Sequence, residues 1–307
     1  MLIGMVRRMQ IAAQALHSLS MMLNPPLQRV IERGQRGQTL EAWGLNPHRA
    51  DTNTSMAKDD DDGFDEKIPE GVTGTVMYPI MNATDALATL NVVLQAGKRS
   101  VPFRYHAPSV LASCRTAFES SAQAIWVMSP EDRDVRRARA AGLAMIGVEH
   151  AKEHHKDTIK AHDNKLLLVP DETYGQSQHR LNFHQSELDT LAALPRESGR
   201  RYTVLVRKAA NWIQDNNPAH TAELAGKHFP TIMDEQYRVC SSFTHGHSWA
   251  INLADGPSAM FAMMADALMS AIISVECAVA LYEAQTTDPA SARTHNYPER
   301  LQPSIDA

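Results

Sequence analysis

Residues 234–247 read Asp-Glu-Gln-Tyr-Arg-Val-Cys-Ser-Ser-Phe-Thr-His-Gly-His, and three of these side chains together suit work on a phosphodiester. Arg238 is a permanent cation, able to stabilise negative charge gathering on phosphorus-bound oxygens. His245 carries an imidazole, which can give or take a proton in catalysis. Ser241 places a hydroxyl between them. On a helix, Arg238 and His245 are nearly two turns apart, so they share a face at about 10 Å along the axis. Both are long enough to converge on one phosphate. If the 2′-hydroxyl of RNA is the nucleophile, that chemistry needs no metal.

The elements that must hold these groups read as helices. Segment 231–245 carries the trio, and a loop over 246–256 is bounded by Gly246 and Gly256. A long helix follows over 257–285, with Pro257 in its first turn and Met260, Met264, Leu268 and Ile272 on a core-facing stripe. Upstream, 79–97, 108–129, 131–160 and 201–215 read as helices. In 108–129 the spacing of Leu111, Cys114, Phe118, Ala122 and Ile125 is helical. Residues 164–200 read as an irregular excursion with one short helix at 186–193. No segment alternates as a strand does, so the expected class is all-α, an antiparallel helical bundle with irregular insertions. Four regions are expected: an N-terminal helical segment (1–43, with helices at 5–23 and 27–34), an acidic flexible linker (44–67), the bundle (68–288) and a flexible tail (289–307).

Composition narrows the function classes. Of 307 residues 43% are hydrophobic and only 6% aromatic, which suits a helical core rich in Ala, Leu and Met. The net charge of -5 excludes a global basic field for nucleic acid, so any such site is local. Three scattered cysteines, Cys114, Cys240 and Cys277, form neither a disulfide framework nor a zinc-thiolate pattern, which points to a reducing cytoplasm. No membrane span or membrane partner is expected.

Other groupings have ordinary explanations. The run Asp59–Asp62 fails as a calcium loop, because Lys58 and Pro69 fall where carboxylate ligands are needed. His150 and His154 are four apart and can chelate zinc, but no third ligand can be named, and a solvated helix face accounts for them. Arg133, Arg136, Arg137 and Arg139 suit a phosphate backbone, but interleaved acids favour salt bridging. No phosphate-binding glycine loop or serine-nucleophile elbow occurs. No metal or cofactor is expected.

An Arg, six residues, then a His, late in a helical domain, resembles the HEPN superfamily. That resemblance implies a helical bundle and a metal-independent endoribonuclease of a toxin or phage-defence system. It implies a homodimer whose protomers share a composite site, RNA as substrate, and an antitoxin or regulatory protein as partner. Arg238 would stabilise the phosphorane and His245 would be acid or base. The products would be a 2′,3′-cyclic phosphate and a 5′-hydroxyl. More broadly, Arg115-x3-Glu119-x6-Trp126, then Arg137 and Arg139, then Tyr237-Arg238…Ser241…His245-Gly246, resembles a group of bacterial helical proteins without a settled activity. Arg115, Glu119, Tyr237 and Ser242 are therefore expected to support the site.

A second reading uses the same residues without catalysis. Arg115 and Glu119 are spaced to support their own helix, as are Asp234 and Arg238. Buried together, Arg115, Glu119, Arg238 and His245 would form a structural polar network in a nucleotide- or partner-binding regulatory protein. His245 before Gly246 would then be an ordinary helix end.

Overall fold

A helix that is apolar around its whole circumference must be enclosed by others, and residues 257–286 are such a helix. The computed structural model describes residues 24–68, 70–100 and 104–307. Among these the chain forms eleven α-helices and no strand. They are α1 (Pro25–Gln38), α2 (Glu41–Leu45), α3 (Ser55–Asp60), α4 (Gly71–Lys98), α5 (Ala107–Met128), α6 (Arg133–Asp163), α7 (Asp171–Ala192), α8 (Tyr202–Asp215), α9 (Phe229–Thr244), α10 (Pro257–Thr286) and α11 (Gln302–Ile305). Short 3-10 turns cover Ser248–Leu253 and Glu299–Leu301.

From Phe261 onward α10 buries residues on every side. It lies against α1, α4, α5, α9 and α11. Its mean hydropathy of 1.8 would let it cross a membrane by composition, yet 83% of that window is buried within the fold. The second central helix is α5, packed between α4, α8, α9 and α10.

Two buried carboxylates interrupt the apolar surface of α10, and each is met by several partners. Glu276 receives Arg36 through two bonds of 2.9 and 2.6 Å and Arg300 at 2.9 Å, with His220 Nε2 at an ion-pair distance of 3.2 Å. Glu283 receives the Trp43 indole N–H at 2.6 Å and Thr287 at 2.9 Å, with His48 Nε2 at 3.1 Å. A buried carboxylate without such partners would be strongly unfavourable. These bonds fasten α1, α2 and the C-terminal segment to the central helix.

Several expectations are corrected. Residues 44–67 are not a mobile linker. Met56, Asp59, Phe64 and Ile68 are buried, and Ser55–Asp60 is helical with the Thr54 side chain capping it. The acidic run meets the basic stretch of α6. Arg136 grips the buried Asp59 carboxylate at 2.5 and 2.7 Å, Arg133 reaches Asp62 at 2.9 Å, and Arg137 donates to the Asp59 carbonyl at 2.7 Å. Asp60 accepts the Val72 N–H at 2.6 Å, closing the start of α4. The arginines do form salt bridges, but with acids distant in sequence rather than with their neighbours.

Residues 289–307 are likewise not a free tail, since Arg300 bonds Glu276 and Leu301 is fully buried. The first expected region joins the same core through Leu27, Val30 and Leu40; its helix at 5–23 lies outside the described residues. Helix α4 begins at Gly71 rather than 79 and carries Pro79 inside it. The bond lost at proline is outweighed by burial of Val72, Val76, Ile80 and Ala83. Residues 171–192 form one long helix, α7, where only a short one was expected. Its periodicity is invisible because only Ser177 and Leu191 are buried; it rides as a mostly polar hairpin arm on α6.

Replacing Asp59→Asn leaves the Arg136 guanidinium buried without its counter-charge. Chemical denaturation should show a loss of about 3 kcal/mol or more, and limited proteolysis should begin near Lys58 and Lys67. A loss below about 1 kcal/mol would show that the pair does not anchor this stretch.

Acid should weaken the Glu276 cluster. Burial alone would raise this carboxyl, but His220, Arg36 and Arg300 hold it at about 2 against an ordinary 4.5. Its contribution is complete above pH 4.5 and fades as pH falls towards 2. Wild type should exceed Glu276→Gln by on the order of 3 kcal/mol at pH 6, with a smaller gap at pH 3. A gap independent of pH would contradict this account.

Candidate functional site

The site is made by the end of α9 and the chain reversal after it. His245 caps the helix, and Gly246 takes φ +69, a left-handed conformation that favours glycine. The His247 N–H bonds the Ser242 carbonyl at 2.9 Å and the Gly246 N–H reaches the Phe243 carbonyl at 3.4 Å. This double bond pattern is the Schellman stop. The Ser242 hydroxyl then bonds the His247 carbonyl at 2.8 Å. The reversal brings His247 back beside His245, with ring centroids 5.9 Å apart.

A groove of about 580 Å³ opens here, lined by Glu235, Arg238, Ser241, His245, His247 and Trp249 among others. Arg238, Ser241 and His245, the three expected catalytic groups, thus share one open surface. The Arg238 side chain is 64% exposed and bonds Asp234 at 3.0 Å. Partial burial would raise the Asp234 carboxyl, but Arg207 and Arg238 together hold it below the usual range. Trp249 is 46% exposed and offers part of its ring surface to the groove.

The supporting residues stand behind His245. On α5, Arg115 donates to Glu119 at 2.8 Å and its other arm reaches His245 Nε2 at 2.7 Å. Tyr237 donates to the same Glu119 carboxylate at 2.7 Å. Burial, then the Glu119 charge, pushes the Tyr237 hydroxyl well above the ordinary tyrosine range. A guanidinium can only donate, so this contact requires a lone pair on Nε2 and the proton on Nδ1. The chain His245–Arg115–Glu119–Tyr237 therefore fixes both the rotamer and the tautomer of the imidazole.

The expected four-residue polar network is only partly formed. Arg115, Glu119 and His245 are linked, while Arg238 turns to Asp234 on the exposed face. Tyr237 and Ser242 are buried supports. The groove residues that the spacing argument missed are Glu235, His247, Trp249 and Leu253. Their signal lay in the His-Gly-His turn, which returns the chain towards the helix end it has just left.

Other candidates separate from this site. His154, His155 and His179 line a different groove between α6 and α7, and His150 is not part of it. Among the described residues no three His, Cys, Asp or Glu side chains are placed to hold a metal. The three cysteines are buried free thiols; burial and the neighbouring Cys114 thiol push Cys240 far up, away from nucleophilic thiolate. Comparison of the chain with family models, curated proteins and solved structures yields no match. The groove itself must carry the functional argument.

Arg115→Met should release the His245 tautomer without unfolding the bundle. Nitrogen-detected NMR of the neutral imidazole should report the Nδ1–H form in wild type and a mixture in the variant. An identical tautomer ratio in both would break the link between Arg115 and His245.

Proposed function

We propose that the groove cleaves RNA without a metal, as a HEPN-like endoribonuclease. The observation that carries this reading is the presence of Arg238, Ser241 and His245 on one solvent-open surface. A bound phosphodiester is a stronger acceptor for Arg115 than a neutral imidazole is. Its arrival would draw the guanidinium off His245 Nε2 and free that lone pair for the 2′-hydroxyl proton. Arg238 and Arg115 would then face the charge building on the phosphorane, with Ser241 donating to a non-bridging oxygen. Trp249 supplies a face for stacking an unpaired base, which favours single-stranded substrate.

Dimerisation, a cytoplasmic setting, a toxin or phage-defence role and an antitoxin or regulatory partner belong to the same proposal. A second reading, a non-catalytic nucleotide- or partner-binding regulator, is favoured by the Arg115–His245 bond, which occupies the imidazole nitrogen a catalyst would use.

Purified protein should cut single-stranded RNA in the presence of chelator, leaving 2′,3′-cyclic phosphate and 5′-hydroxyl ends. His245→Ala and Arg238→Ala should each lower kcat/KM by roughly 100-fold or more. Trp249→Ala should raise KM about tenfold with little change in kcat. Full cleavage by the Arg238→Ala/His245→Ala double variant, or none by wild type, would remove the ribonuclease reading.

A further inference from the structure

The resemblance to HEPN proteins places the two halves of the chemistry on two protomers. The groove suggests a different division. We propose that His247 is a further catalytic residue, the general acid that protonates the leaving 5′-oxygen, so that one chain holds both proton-transfer groups. This inference rests on the ribonuclease reading and deepens it.

Three observations carry it. First, the two imidazoles are neighbours in the same groove, 5.9 Å between centroids, so a nitrogen of each can reach one phosphodiester through bonds of about 2.8 Å. Second, their surroundings differ. His245 Nε2 accepts from Arg115, whereas no protein group among the described residues hydrogen-bonds the His247 ring. One imidazole is thus held with a lone pair facing an arginine, and the other has no protein partner on either ring nitrogen among the described residues. Third, the position of His247 is built: the positive φ of Gly246, the Ser242 carbonyl and the Ser242 hydroxyl all fix its backbone.

The step balances. His245 takes the 2′-hydroxyl proton as the 2′-oxygen bonds to phosphorus. The bond from phosphorus to the 5′-oxygen breaks with its electron pair on that oxygen, and His247 delivers a proton there. The products are the cyclic phosphate and a 5′-hydroxyl. Exchange with water then returns both imidazoles to their starting states, and no other reactant is consumed.

A leaving group that needs no protonation separates the two roles. Full-length wild type, His245→Ala, His247→Ala and His247→Gln should be assayed on a short oligoribonucleotide and on uridine 3′-(4-nitrophenyl phosphate). On the oligonucleotide, both His247 variants should lose about 100-fold or more in kcat, with KM little changed. On the aryl ester they should fall within about threefold of wild type, while His245→Ala stays impaired on both substrates. Equal losses on both substrates, or none on either while wild type cleaves, would overturn the role of His247 alone. Absence of cleavage by wild type would overturn the ribonuclease reading and this assignment with it.

Discussion

The enclosure of α10 is the constraint on which the rest depends. From Phe261 onward this helix buries residues on every side, so its neighbours must cover most of its surface. Its two buried carboxylates must also be answered from those neighbours. Glu276 draws in Arg36 from α1 and Arg300 from the C-terminal turn, and Glu283 draws in Trp43 and His48. Segments that look peripheral by composition are therefore structural members of the core. With α10 surrounded, α5 is held firmly along it, and α5 becomes the platform on which α9 is set.

That placement prepares the groove. Helix α9 offers its buried side, through Tyr237 and Cys240, to α5, which leaves Arg238 on the outside. Its end meets Arg115, so His245 is oriented by a residue far away in sequence. The glycine stop then folds the chain back and adds His247 and Trp249. A cation, a hydroxyl, two imidazoles and an aromatic face result from one helix end and the turn that closes it, supported from behind by a single polar chain.

Much of this was legible in residue order. Helical spacing of large apolar residues marked α5, α8, α9 and α10, because their burial is one-sided or complete. The Arg238–His245 spacing predicted a shared face, and both residues line the groove. Long-range charge pairing was not legible. Asp59–Asp62 look like a solvated run until Arg133, Arg136 and Arg137 are brought against them, and nothing local announces that meeting. Helix α7 was missed for the opposite reason: it buries so little that no apolar rhythm marks it. His247 and Trp249 were hidden by their turn, since only the positive φ at Gly246 shows that the chain comes back to the same surface.

The central claim is that the α9 groove receives a phosphodiester chain. The most direct measurement is an NMR titration of the imidazole and guanidinium side chains with a 2′-O-methyl oligoribonucleotide, which binds but supplies no 2′-hydroxyl nucleophile. Saturable shifts of Arg238, His245 and His247, with His154, His155 and His179 unmoved, are the predicted result. Shifts confined to the α6–α7 groove, or no shift at high strand concentration, would contradict the account.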